Sequence, residues 1–146
     1  MTTRVPGAKL YAVLAVAVTL AGTALADGVA PAEGEPSLVG PTWVAEDIGR
    51  RGVIDDLQSH VAFTAEGQAQ GSGGCNNFRG AYALLDETLE IGPLASTKKA
   101  CPPAIMDQET RFFEALAQTR SYRFENGLLY LSDAQGMPVV RLWRRD

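Results

Sequence analysis

The chain has 146 residues, with 13 Lys+Arg against 17 Asp+Glu, two cysteines and one histidine, for a formal charge of −4. Its basic residues are scattered, so it lacks the electrostatic stripe of a nucleic-acid binder, and the short group Arg141, Arg144 and Arg145 reads as the solvated face of a last strand. No internal repeat is evident, and the length suits one domain around one core.

The first segment carries an address. Arg4 and Lys9 precede an almost unbroken apolar run, Leu10–Leu20, and the tripeptide Ala24–Ala26 stands before Asp27. This is the layout of a secretory signal peptide over residues 1–26, cleaved after Ala26. The apolar stretch is marginal for the roughly 20 residues that a span needs, so no stable membrane span is expected after cleavage. Leu20–Thr23 reads like a lipobox with Thr23 where an acylated cysteine would stand, which leaves no sulfur to carry a lipid. The expected product is exported, periplasmic or secreted, and soluble. Residues 27–37, small and acidic with no hydrophobic period, read as a flexible linker ahead of a domain over 38–146.

Strands dominate the domain. PTWVAEDI opens with Trp43 and β-compatible residues, and in SHVAFTA Val61 and Phe63 alternate with His60, Ala62 and Thr64. A turn at Glu66–Gly67 leads into QAQGSGG, a glycine-weakened strand, and then into FRGAYALL, whose aromatics favour β structure. Asp86–Glu87 turns into TLEIG, with Leu89 and Ile91 on one face, and PLASTKKA is a candidate short strand. SYRFE, GLLYLS and MPVVRLWRR close the chain, and Asn126–Gly127 between the first two is a strong hairpin signal. One segment breaks the pattern. PPAIMDQETRFFEALAQT spaces Ile105, Phe112 and Leu116 helically, and Pro102 and Pro103 suit a first helical turn, so a helix is expected over about residues 103–118. The fold class is mainly β (α+β): a small antiparallel barrel or strongly curved sheet, with the helix covering an opening or a face. Its expected core is Trp43, Phe63, Phe78, Tyr82, Leu89, Ile91, Leu94, Phe112, Leu116, Leu129, Leu131 and Leu142.

Cys75 and Cys101 are an even pair in a chain bound for an oxidising compartment, which argues for a disulfide. Closing that loop of about 26 residues removes denatured-state entropy worth roughly 3.5 kcal/mol in the chain-entropy account. Two alternatives stay open. Cys75 could be a nucleophile with His60 as its base, although the sequence marks no orienting partner or oxyanion hole. Free or metal-binding thiols are the other, but two cysteines and one distant histidine fall short of a four-ligand zinc site. No cofactor motif is evident.

The segments around these cysteines carry a pattern. Gly74, Cys75, Asn76, Phe78, Gly80 and Tyr82 are followed by Ile91, Gly92, Leu94 and Thr97, then by Ala100, Cys101 and Pro102, then by Glu109 with Phe112 or Phe113. Trp43 lies in PTWVA near the start. From about Leu38 to Arg144 the chain resembles the META domain family of HslJ-like heat-shock and envelope proteins. It departs from the family at Lys99, where members often carry Met, and at Thr23, where some carry the lipidated cysteine. The resemblance implies a compact barrel-like α+β domain of envelope or secreted proteins, associated with stress or drug tolerance and bringing no catalytic residue set. The expectation is a non-enzymatic, monomeric module that binds an envelope protein, a peptide or a small ligand. The alternative is a cysteine-dependent hydrolase or thiol-redox enzyme using Cys75.

Overall fold

The computed structural model describes residues 36–146. The signal peptide, its cleavage site, the lipobox-like segment and most of the linker lie outside the described residues. Strands run over Thr42–Ile48 (β1), Arg51–Gly52 (β2), His60–Phe63 (β3), Gln68–Ser72 (β4), Asn77–Leu85 (β5), Thr88–Ile91 (β6) and Ala95–Ser96 (β7). The helix Pro103–Gln118 (α1) follows, then Ser121–Glu125 (β8), Leu128–Ser132 (β9) and Pro138–Arg145 (β10). Neighbours pair in the order β10-β9-β8-β6-β5-β4-β3-β1, and β10 pairs again with β1, so eight antiparallel strands close into a ring. Closure covers most of the edge that an open sheet would expose, although the end of β6 beyond Leu89 pairs with β5 alone. The last joint is long, running from Thr42 opposite Arg145 to Ile48 opposite Val140, with a bulge between Ala45 and Asp47.

The thinnest joint lies between β6 and β8. Only Thr88 and Ser121 pair there, supplemented by Leu89 N–H to the Arg120 carbonyl at 3.0 Å and Tyr122 N–H to the Glu87 carbonyl at 3.1 Å. The β8–β9 hairpin forms where Asn-Gly placed it, and Asn126 and Gly127 both take positive φ, 52° and 79°. Those angles belong to the turn whose twist matches its flanking strands.

Inward positions alternate as a barrel requires. Val61 and Phe63, Leu89 and Ile91, and Leu129 and Leu131 are buried with Trp43, Phe78, Phe112, Leu116 and Leu142. Two expected core members stop short. Tyr82 and Leu94 are only partly buried and pack against the core from its edge. Tyr82 stands edge-on to Phe63 with ring centroids 5.2 Å apart, and its hydroxyl donates to the Thr64 carbonyl at 2.6 Å, a partner found at the rim. Leu94 lies on the segment that crosses outside β5, over Gly80. The core also takes in residues that the periodicity did not single out, among them Leu38, Ala45, Ile48, Ala69, Ala115, Val139 and Val140. Leu38 precedes β1 and is held there by Trp43 Nε1–H, which donates to its carbonyl at 3.0 Å.

Helix α1 begins on Pro103 without a side-chain cap and buries Gln108, Glu109, Phe112, Ala115 and Leu116 along one face. Its polar contacts reach the ends of several strands. Arg111 donates to the Ile48 carbonyl at 3.2 Å, and the Gln108 side chain accepts from Ile54 N–H at 2.7 Å and donates to Ser59 Oγ at 3.0 Å. The helix therefore lies over the end of the barrel where β1 finishes and β3 and β5 begin. Among the described residues, no helix is long and apolar enough to cross a membrane.

Candidate functional site

The β4–β5 loop and α1 meet around a buried carboxylate. Glu109 Oε2 accepts from the backbone N–H groups of Cys75 at 3.0 Å and Asn76 at 2.5 Å, and Oε1 accepts from Asn76 Nδ2 at 2.6 Å. Two glycines make the approach possible. A Cβ on Gly73 would stand 2.5 Å from Glu109 Cγ and 2.8 Å from the Phe113 ring, and Gly74 has φ 123°, a backbone that side chains avoid. Ser59, itself buried, donates from Oγ to the Gly73 carbonyl at 2.7 Å and links this loop to Gln108.

Asn76 carries the network onward to the segment before the helix. Its Oδ1 accepts from Thr97 Oγ1 at 2.8 Å and Lys99 N–H at 2.7 Å, and its Nδ2 also donates to the Lys99 carbonyl at 3.2 Å. Position 99 contributes backbone alone, and its side chain is exposed, so the lysine at this position leaves the network intact. Every buried side-chain polar atom among the described residues has a partner.

A covalent link runs beside the polar one. Cys75 and Cys101 form a disulfide with Cα atoms 6.1 Å apart, and neither described cysteine is free. It joins the β4–β5 loop to the residue before Pro102, where α1 starts. Replacing Cys101 by serine is expected to lower stability by roughly 2–5 kcal/mol, read as a shift in the urea midpoint. An unmoved midpoint would show that the hydrogen-bonded network alone sets the loop.

Cys75, Asn76, Thr97, Cys101 and Glu109 thus converge, with Gly74 shaping the loop and Pro102 receiving Ile105 N–H at 3.0 Å as the helix opens. The other motif positions lie apart from this cluster's polar centre. Trp43, Phe78, Ile91 and Phe112 are core, and Tyr82 is at the rim. At Gly80 an added Cβ would come within 2.8 Å of the Pro93 carbonyl, which lets the Pro93–Leu94 segment cross β5. Gly92 N–H donates to the Ala81 carbonyl at 2.8 Å. Ser59 and Gln108, buried and central to the network, were not singled out by sequence, since no local spacing distinguishes a buried glutamine from a surface one.

His60 belongs elsewhere. It pairs with Ser72 across β3–β4, and its Nδ1 lies 3.4 Å from the Gln58 carbonyl. Partial burial pulls its pKa below the ordinary 6.5; the Gln58 carbonyl opposes this and the Arg145 charge adds to it. Well above 6.5 the ring is neutral whether folded or unfolded. As pH falls below 6.5 the unfolded chain takes the proton first, so stability declines until the folded pKa is passed. Between pH 7 and 5, His60→Gln should flatten part of the fall in the urea midpoint; an identical slope would place the loss on other groups. Among the described residues, no cluster of three or more His, Cys, Asp or Glu is placed to hold a metal.

A groove runs along the outside of the barrel. A cavity of about 550 Å³ lies between α1 and the β6–β7 segment, walled by Ile91, Gly92, Leu94, Phe113 and Ala117. A second, of about 390 Å³, shares Ile91, Gly92 and Ala117 and extends the groove to Arg120.

A family model described as META domain matches residues 36–146. Among solved structures, the chain is similar to a protein from Burkholderia xenovorans determined by NMR, at 24% identity over 74% of this chain and 83% of that one, with a TM-score of 0.59. A second protein determined by NMR matches at 22% identity, over 73% and 90% of the two chains, with a TM-score of 0.58. A DUF4847 family protein from Bacteroides vulgatus, a crystal structure, matches at 18%, over 75% and 96%, with a TM-score of 0.55. At these identities the likeness shows the fold. No curated protein matches the chain.

Proposed function

The chain belongs to the META domain family, and on that premise we propose that it is a non-enzymatic module of the cell envelope that acts by binding a peptide or protein on its outer surface. In this reading it is exported by cleavage after Ala26, works as a soluble monomer in the periplasm or outside the cell, and contributes to stress or drug tolerance. The observation that carries the reading is the fate of Cys75. The best nucleophile in the chain is bonded to Cys101, and the histidine that would serve it sits in β3 with the Gln58 carbonyl as its neighbour. The disulfide supports an oxidising compartment. Large side chains fill the barrel interior, which directs recognition to the outer groove.

Complementation of a deletion strain under envelope stress tests this. His60→Gln and the double variant Cys75→Ser/Cys101→Ser, compared at matched abundance, should restore tolerance as well as the parent chain does. Loss of tolerance in either variant at full abundance would favour the cysteine enzyme.

A further inference from the structure

We propose that the groove between α1 and the β6–β7 segment receives one extended peptide segment of another protein, which adds as a strand to the free edge of β6. This deepens the binding reading above and rests on it. The backbone groups of β5 and β6 show which way that edge faces. Tyr82 N–H donates to the Gly67 carbonyl, on the β4 side of β5. Its opposition to Ile91 across β5–β6 is therefore a non-hydrogen-bonded pair, and the Ile91 N–H and C=O point away from β5. On that far side β8 has already ended. The β6–β8 joint is the single Thr88–Ser121 position, followed by the Leu89 N–H bond to the Arg120 carbonyl, and the chain preceding Arg120 is the end of α1. The Ile91 peptide groups therefore open onto the groove.

An open strand edge is completed by another backbone, and neither an acyl chain nor a sugar supplies alternating N–H and C=O groups at strand spacing. The adjoining wall selects the side chains. Leu94, Phe113 and Ala117 offer an apolar seat, while Lys98 and Arg120 stand toward opposite ends. Glu90 and Glu114 line the same groove, which disfavours an anionic lipid surface as occupant. The occupant that fits is an extended segment with one apolar residue over Leu94 and Phe113 and a single acidic residue reaching Lys98 or Arg120.

The test is selection of a random nonapeptide display library on the folded, disulfide-bonded protein, followed by amide hydrogen exchange with the winning peptide. Winners should carry an apolar residue flanked by Asp or Glu, and saturation should slow exchange at the Ile91 amide by at least about tenfold. Ala117→Glu, at an exposed helix position, should weaken binding by about tenfold or more, and Lys98→Glu by less. The exchange readout uses the unaltered chain, so it stands even if a variant misfolds. Winners that leave Ile91 exchange unchanged and still bind Ala117→Glu would overturn the groove and leave a binding module standing. A folded protein that enriches no peptide would overturn the groove and the peptide-binding reading together. Concentration-dependent protection of Ile91 without peptide would place a second copy in the groove and also overturn the proposal.

Discussion

Replacing Glu109 by alanine is expected to lower the unfolding free energy by about 3–4 kcal/mol, although an acidic side chain on an amphipathic helix ordinarily faces water. The reason is the set of donors left behind. Cys75 N–H, Asn76 N–H and Asn76 Nδ2–H all converge on this carboxylate. A buried donor that loses its acceptor costs about 1–3 kcal/mol. Water entering from the neighbouring cleft lined by Thr97, Met106 and Thr110 offsets part of that total. Glu109→Gln should cost about half as much, because one oxygen still accepts while its amide hydrogens face other donors. Combining Glu109→Ala with Asn76→Ala should cost less than the sum of the two, with a coupling of about 0.5–3 kcal/mol, since both act through one network. A Glu109→Ala chain within about 0.5 kcal/mol of the parent would show that this network does not hold α1 to the barrel.

Phe112→Ala should be comparably damaging for an apolar reason. Its ring is fully buried and meets Phe78 edge-on with centroids 6.1 Å apart. Truncation removes the buried area and leaves a cavity where the helix seats on the barrel, at a cost of about 3–5 kcal/mol. In thermal melts that is a drop of more than about 10 °C. Phe113 also touches Phe78, at 5.3 Å, but is only partly buried, so Phe113→Ala should cost clearly less. Equal losses at the two positions would mean that the helix face is misassigned.

Much of the barrel was legible because strand and helix periods differ. Leu89 and Ile91 alternate with exposed residues, and Ile105, Phe112 and Leu116 do not; the prolines at 102 and 103 mark where the second pattern starts. The helix expected over about residues 103–118 accordingly forms as Pro103–Gln118. Asn126–Gly127 was readable for a backbone reason, because few other pairs accept two successive positive φ angles. The two-residue strand β2 was not legible, since Arg51 and Gly52 carry no alternation and pair only through register with β1. Tyr82 and Leu94 were expected inside because they are large and lie in strand-like segments. Their rim positions follow from the Thr64 carbonyl and the crossing over Gly80, which are tertiary facts. The network around Glu109 was the least legible part as an interaction. An acid on an amphipathic helix ordinarily faces water, and its partners lie more than thirty positions earlier in the chain. The resemblance placed Glu109, Asn76, Thr97 and both cysteines in one pattern, and the fold supplies the reason that they go together: each holds the end of the barrel to α1.

That role requires the cysteines to be spent in structure, and counting thiols tests it most directly. The exported chain would be treated with iodoacetamide in its native state, then again after reduction in denaturant, with intact mass read each time. A structural Cys75–Cys101 bridge predicts no adduct on the native chain and two on the reduced one. An adduct on Cys75 before reduction would contradict it and return that sulfur to chemistry.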